Sequence, residues 1–256
     1  MKKFIIASLL TFGLFANSFQ ADCQTDFDIS IRGGLNLNNI SQDFKESDWE
    51  YETKIRPGFH IGPVIDLDFS PQLGFQTGLL FTSKGFAVDL EDQDFDNGFY
   101  REEDFDIEVD GSSRSRYNYF EIPLNLVFKV DDLQFFAGPY LSFGVGGKSI
   151  MDYSLKVTAM GETIYEEEVD EEWDLKPVFG DVDYDDLDDD EEAFNALDFG
   201  LNFGLGYRVG PVMLNAGYSL GLGNITPGID GSDFDPADMK MSNRVINVSA
   251  SFYLPN

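Results

Sequence analysis

From residue 198 to residue 209 the chain alternates without a break. Phe199, Leu201, Phe203, Leu205, Tyr207 and Val209 fall on one side; Asp198, Gly200, Asn202, Gly204, Gly206 and Arg208 fall on the other. Successive side chains of a strand point to opposite faces, whereas a helix would scatter these residues around its circumference. The stretch therefore predicts a strand with one bulky apolar face and one small or polar face. The same alternation recurs over residues 27–37, 59–69, 73–83, 117–130, 133–145 and 212–222, and in a last stretch carrying Ile246, Val248, Ala250 and Phe252. Short connections at 70–72, 131–132 and 210–211 alternate with long ones at 38–56, 85–116, 146–196 and 223–243. An even strand count with short turns at one end and long loops at the other is the pattern of an outer-membrane barrel. The expected fold is all-β, an eight-stranded antiparallel transmembrane β-barrel with short periplasmic turns, long external loops and both termini periplasmic. Pro63, Pro123 and Pro139 fall inside predicted strands and each removes a ladder donor, so β-bulges and a one-residue slip of register are expected there.

Turned inside out, the same pattern would describe a soluble, lipocalin-like ligand binder. Ring volume decides between the two. The apolar face carries Phe59, Phe75, Phe81, Phe120, Phe128, Phe135, Phe143, Phe199 and Phe203 among others. An interior of eight strands has room only for side chains that just fill it, and these rings would overfill it. Glycine is frequent on the polar face, which suits crowding inside. The apolar face is expected to meet lipid.

Composition narrows the picture further. With a net charge of −30 and a pI near 4.1, the chain has no basic face to neutralise phosphates, which excludes nucleic acid as a partner. Residues 1–21 read as a cleaved secretory signal: Lys2 and Lys3, then an apolar run from Phe4 to Phe15, then small residues. Residues 22–256 are then the barrel domain. The apolar run is too short to cross a bilayer as a helix. Asp22 before Cys23 argues against a lipid anchor, and a lone cysteine cannot form an internal disulfide.

Several motifs resemble one family. Arg32-Gly33-Gly34-Leu35-Asn36-Leu37, Pro57-Gly58-Phe59-His60-Ile61-Gly62, Tyr119-Phe120-Glu121-Ile122-Pro123-Leu124, Ala137-Gly138-Pro139-Tyr140 and Asn243-Arg244-Val245 are similar, in that order, to porin-family outer-membrane β-barrel proteins of Bacteroidota, the group that includes the PorT secretion component. The resemblance implies an integral outer-membrane barrel, inserted by the barrel assembly machinery into outer-membrane lipid and without a cofactor. It also brings in one alternative role, a barrel subunit of a secretion machine. The third external loop is longer and more acidic than the family leads one to expect.

Candidate chemistry is sparse. The polar face would place Arg32, His60, Asp66, Glu121, Lys129, Asp198 and Arg208 in the lumen, and buried charges must pair. Arg32 is expected to pair with Glu121 or Asp198 and plug the interior, with Arg208 in the same network. A lipid- or peptide-modifying enzyme would need a general base, and His60 is the only histidine, with no nucleophile elbow in the sequence. No catalysis is expected. Most of the 47 Asp and Glu lie in the long connections. Asp181, Asp183, Asp185 and Glu192 match the ligand spacing of a calcium loop, although Asp186 stands where the loop needs glycine; a loosely bound divalent cation is the weak expectation. Apolar residues interspersed there (Ile164, Tyr165, Trp173, Leu175, Val178, Phe179) suit hairpins that extend the barrel outward, or a surface for a protein partner. A structural or interaction role follows.

Overall fold

The computed structural model describes residues 26–44, 53–89, 105–159, 162–228 and 239–255; the expected signal segment and Cys23 lie outside the described residues. It contains β1 (Asp26–Phe44), β2 (Thr53–Lys54), β3 (Arg56–Asp68), β4 (Leu73–Gly78), β5 (Leu80–Asp89), β6 (Phe105–Val130), β7 (Leu133–Ala159), β8 (Glu162–Val178), β9 (Glu191–Asn195), β10 (Leu197–Val209), β11 (Val212–Gly221) and β12 (Met239–Tyr253). Antiparallel pairings run from β1 to β3, to β4 and β5, to β6, β7, β10, β11 and β12, and from β12 back to β1. The ladder thus returns to its start. β2 joins β5, and β8 and then β9 are added outside this circuit, β9 in parallel.

Alternation was the right guide to which face is buried. In β10, Leu201, Phe203 and Leu205 are 44–47% exposed, while Asp198 and Asn202 between them are buried. Phe59, Phe120, Phe128, Phe135, Leu214 and Phe252 repeat the pattern on other strands. The buried set is polar: Ser30, Asn36, Gln76, Asn125, Gln134, Ser142, Asn215 and Ser251. A soluble barrel would show the reverse.

The prolines leave the register unbroken. Val64 pairs with Gly78 and Ile61 with Phe81 in one common register, and the ladder merely skips between them, where Leu79 separates β4 from β5. There the Leu79 N–H donates to the Pro63 carbonyl at 3.0 Å. Opposite Pro139, the β6–β7 ladder skips from Pro123↔Tyr140 to Leu126↔Ala137, again without a shift. The strands approach closely there: a Cβ on Gly138 would sit 2.0 Å from the Leu124 carbonyl oxygen, so glycine is required. The bulges lie elsewhere. One falls between Asn118 and Tyr119, which pair with Gly146 and Gly144 and leave Val145 unopposed; the other lies between Val157 and Thr158.

Strands are also longer than the apolar pattern indicates. Residues 105–116 and 146–159 continue β6 and β7, and residues 162–178 form β8 against β7, where loops were expected. Beyond the apolar band neither face of a strand need be apolar, so the period-two signal fades while the backbone ladder continues.

Prediction: Phe203→Arg, a charge in the middle of the exposed apolar face, should destabilise the protein folded in lipid vesicles by about 2–4 kcal/mol. The same change at Val209, at the end of the strand, should cost clearly less. Urea titration of the folded fraction measures both.

Candidate functional site in the barrel interior

The interior is organised around a cation that the sequence pattern placed at the margin of a loop. β5 runs past Ser83 to Asp89, which carries Lys84 into the lumen. Its ammonium lies 2.8 Å from Glu121 Oε2 and 2.9 Å from Asp198 Oδ2, with its side chain 2% exposed. Ser142 Oγ accepts from the ammonium at 3.2 Å and donates to Glu121 Oε2 at 3.0 Å. Asn243 Nδ2 donates to Asp198 Oδ2 at 3.0 Å, and Tyr140 Oη to the same oxygen at 3.3 Å. The Tyr140 ring lies 4.3 Å from the ammonium, a cation–π contact in a desolvated setting. Two carboxylates and one ammonium are thus tied by neutral donors, which is how a buried charge cluster becomes tolerable.

Arg32 does not make the pairing expected of it. Its Nε donates to Ser251 Oγ at 2.9 Å, on the far side of the lumen from the Lys84 cluster. Lys84 reaches Glu121 because it enters from β5, the strand paired with β6, whereas Arg32 enters from β1, which pairs with β3 and β12. Asp66 anchors a second cluster, accepting from Tyr253 Oη at 2.9 Å and Gln76 Nε2 at 2.7 Å. Arg208 stacks over the Tyr253 ring at 4.4 Å rather than joining Glu121 and Asp198. Lys129 pairs with Asp68 at 2.6 Å.

Between the two clusters lies a cavity of about 40 Å³ walled by His60, Asn125, Asn202, Asn215 and Asn247. That volume holds on the order of two or three waters and no solute. His60 Nδ1 sits 2.8 Å from Asn36 Oδ1. Asn36 Nδ2 is committed to the Phe59 carbonyl and Thr82 Oγ1, so Oδ1 is the acceptor and Nδ1–H the donor. The histidine is a wall residue held by an amide, and among the described residues no hydroxyl or thiol is hydrogen-bonded to its ring.

Apolar side chains gather at the end of the lumen away from the short turns. Phe194, 2% exposed, packs on Tyr117 and Tyr119 at ring-centroid distances of 5.1 and 5.8 Å, with Ile40, Leu175 and Ile225 around it. Asn195 fixes the cluster by donating its side-chain amide to the carbonyls of Asn224 and Thr226, at 2.9 and 3.2 Å. No apolar periodicity announced Phe194, because β9 is only five residues long and pairs in parallel with β8, the strand before it.

The calcium-like spacing does not close into a site. Asp181, Asp183 and Asp185 are exposed; Asp183 Oδ1 accepts the Asp185 N–H at 3.1 Å, and Glu192 lies in β9 opposite Leu175. Among the described residues no three acidic, histidine or cysteine side chains are gathered to hold a metal. Glu191, beside it, is occupied by Lys176 at 3.0 Å, whose hydrogen bond holds that carboxyl below the usual range.

A ladder without a free end in its circuit, an apolar exterior and a charged, hydrogen-bonded interior define a membrane-spanning β-barrel. The chain belongs to the family described as outer membrane protein beta-barrel domain, whose profile matches residues 15–226, and it is an integral outer-membrane protein. A search of curated proteins found no match. Among solved structures, the Ail attachment invasion locus protein of Yersinia pestis is 12% identical with a TM-score of 0.37, over 90% of this chain and 99% of that one. Neisserial surface protein A is 11% identical with a TM-score of 0.31, over 88% and 96%. The Pseudomonas putida toluene transporter TodX is 12% identical with a TM-score of 0.28, over 93% and 90%.

Prediction: Lys84→Met leaves Glu121 and Asp198 buried without their cation and should cost about 3–5 kcal/mol. Adding Glu121→Gln and Asp198→Asn to the same chain should recover most of that loss. Urea unfolding in detergent compares the three proteins.

Proposed function

We propose that the protein is an eight-crossing outer-membrane barrel with a permanently closed lumen, acting as an interaction protein through the β-structure it carries outside the membrane. β4 and β5 count as one crossing, interrupted at Leu79. One observation supports the reading: among the described residues the Lys84 and Asp66 clusters and Phe194 occupy the interior, beside a cavity of about 40 Å³. Barrels that conduct leave an aqueous channel and need about 16 strands. With no path through it, the part of the molecule left for contact with others is the acidic external extension of β6, β7 and β8. The short turns and both termini then face the periplasm. Prediction: vesicles containing the protein should swell in an arabinose gradient no faster than protein-free vesicles. Swelling at the rate of a general porin would overturn the closed lumen.

The motifs shared with the PorT group support a second reading, a barrel subunit of a secretion machine. Mild cross-linking of outer membranes followed by purification should then recover a stoichiometric partner. Recovery of the barrel alone would count against it.

A further inference from the structure

We propose that the open edge of β8 binds an extended, lysine- or arginine-rich segment of a partner protein as an added strand. This rests on the interaction reading above and names the partner's chemistry.

Along residues 162–173, β8 pairs with β7 on one side, and no described residue pairs with its other side. The orientation of the free backbone groups is fixed by the point where that edge is occupied. The Asp174 N–H donates to the Asp190 carbonyl at 2.7 Å on the side away from β7. The β7–β8 register is constant from Gly147↔Leu175 to Val157↔Tyr165. Alternate residues present their amides to the same side, so Glu172, Asp170, Glu168 and Glu166 point N–H and C=O outward. An exposed edge of this kind is a template for strand addition.

Charge selects the occupant. Glu166, Glu168, Asp170 and Glu172 line one face of the edge, and Glu167 and Glu171 the other. Lys148 is engaged with Glu172 and, at 3.4 Å, with Asp174. Glu168, Asp170 and Glu171 form no ion pair with any described residue. Asp152 stands directly across from Asp170, a like-charge pair that weakens the ladder. With Asp110 they line an open groove of about 660 Å³ on one face of β6, β7 and β8. A second copy would bring carboxylates against carboxylates, and a neutral apolar strand would leave them uncompensated. Only a cationic strand completes the ladder and relieves the repulsion together, with cross-strand pairs on both faces.

The test uses the full-length protein in detergent micelles and a fluorescent ten-residue peptide alternating Lys and Thr. Its twin carries N-methyl groups on alternate amides, so that it keeps the charge but cannot donate to the edge. Anisotropy should show the unmodified peptide binding at least about tenfold tighter than the N-methylated one, the difference persisting as salt weakens both. Glu168→Pro with Asp170→Pro removes outward N–H groups without touching the β7 ladder and should produce a similar loss. Equal binding of the two peptides, or none by either, would overturn the proposal; the peptide pair needs no variant, so misfolding cannot blur the result. Location is read separately by labelling Thr163→Cys in intact cells with a membrane-impermeant maleimide. Labelling without peptide binding sinks the edge proposal and leaves the interaction reading standing. Absence of labelling overturns both.

Discussion

Lipid offers no hydrogen bonds, so every backbone donor and acceptor within it must be satisfied by the chain itself. That constraint governs the rest of this structure. The pairing of β6 with β7 and of β1 with β12 removes the free edges of the membrane-facing ladder. Where proline deletes a donor the register holds on either side, as from Pro123↔Tyr140 to Leu126↔Ala137. Once the ladder is closed, the exterior has only to be apolar. The interior must accommodate whatever charge it contains.

The interior does so by hydrogen bonding rather than by openness. Glu121 and Asp198 face one ammonium, and Ser142, Tyr140 and Asn243 supply the remaining donors. Phe194 and its neighbours pack together at one end of this network. Outside the membrane the constraint on the backbone relaxes, because water can satisfy an edge. Residues 162–173 of β8 can therefore stand with one side unpaired among the described residues, as can residues 105–111 of β6.

Where lipid imposes a pattern, the sequence displays it. The apolar and polar faces of β3, β10 and β11, the short turns, the inward placement of Asp198 and the outward placement of Phe203 were all legible from period-two alternation. Lys84 was not, because the strand was drawn to end at Ser83, where apolar alternation weakens, and its partners are remote in sequence. Arg32 was assigned those partners by charge alone, and charge says nothing of which strand delivers it. The outer halves of β6 and β7 fall in expected loops, because a strand with two wet faces carries no apolar stripe; β8 matches the outward hairpin that Ile164, Tyr165, Trp173, Leu175 and Val178 suit. The spacing of Asp181, Asp183, Asp185 and Glu192 was read as a ligand set in a region so acidic that such spacing arises by chance. Phe194 depends on a parallel pairing between β8 and β9 that no local signal encodes.

The most direct measurement is the electrophoretic mobility of the protein from isolated outer membranes in SDS, unboiled against boiled. A barrel whose backbone ladder closes on itself should resist the detergent and migrate at a different apparent mass until it is boiled. Recovery in the soluble periplasmic fraction, with identical mobility in both lanes, would contradict the apolar-out, closed-ladder account.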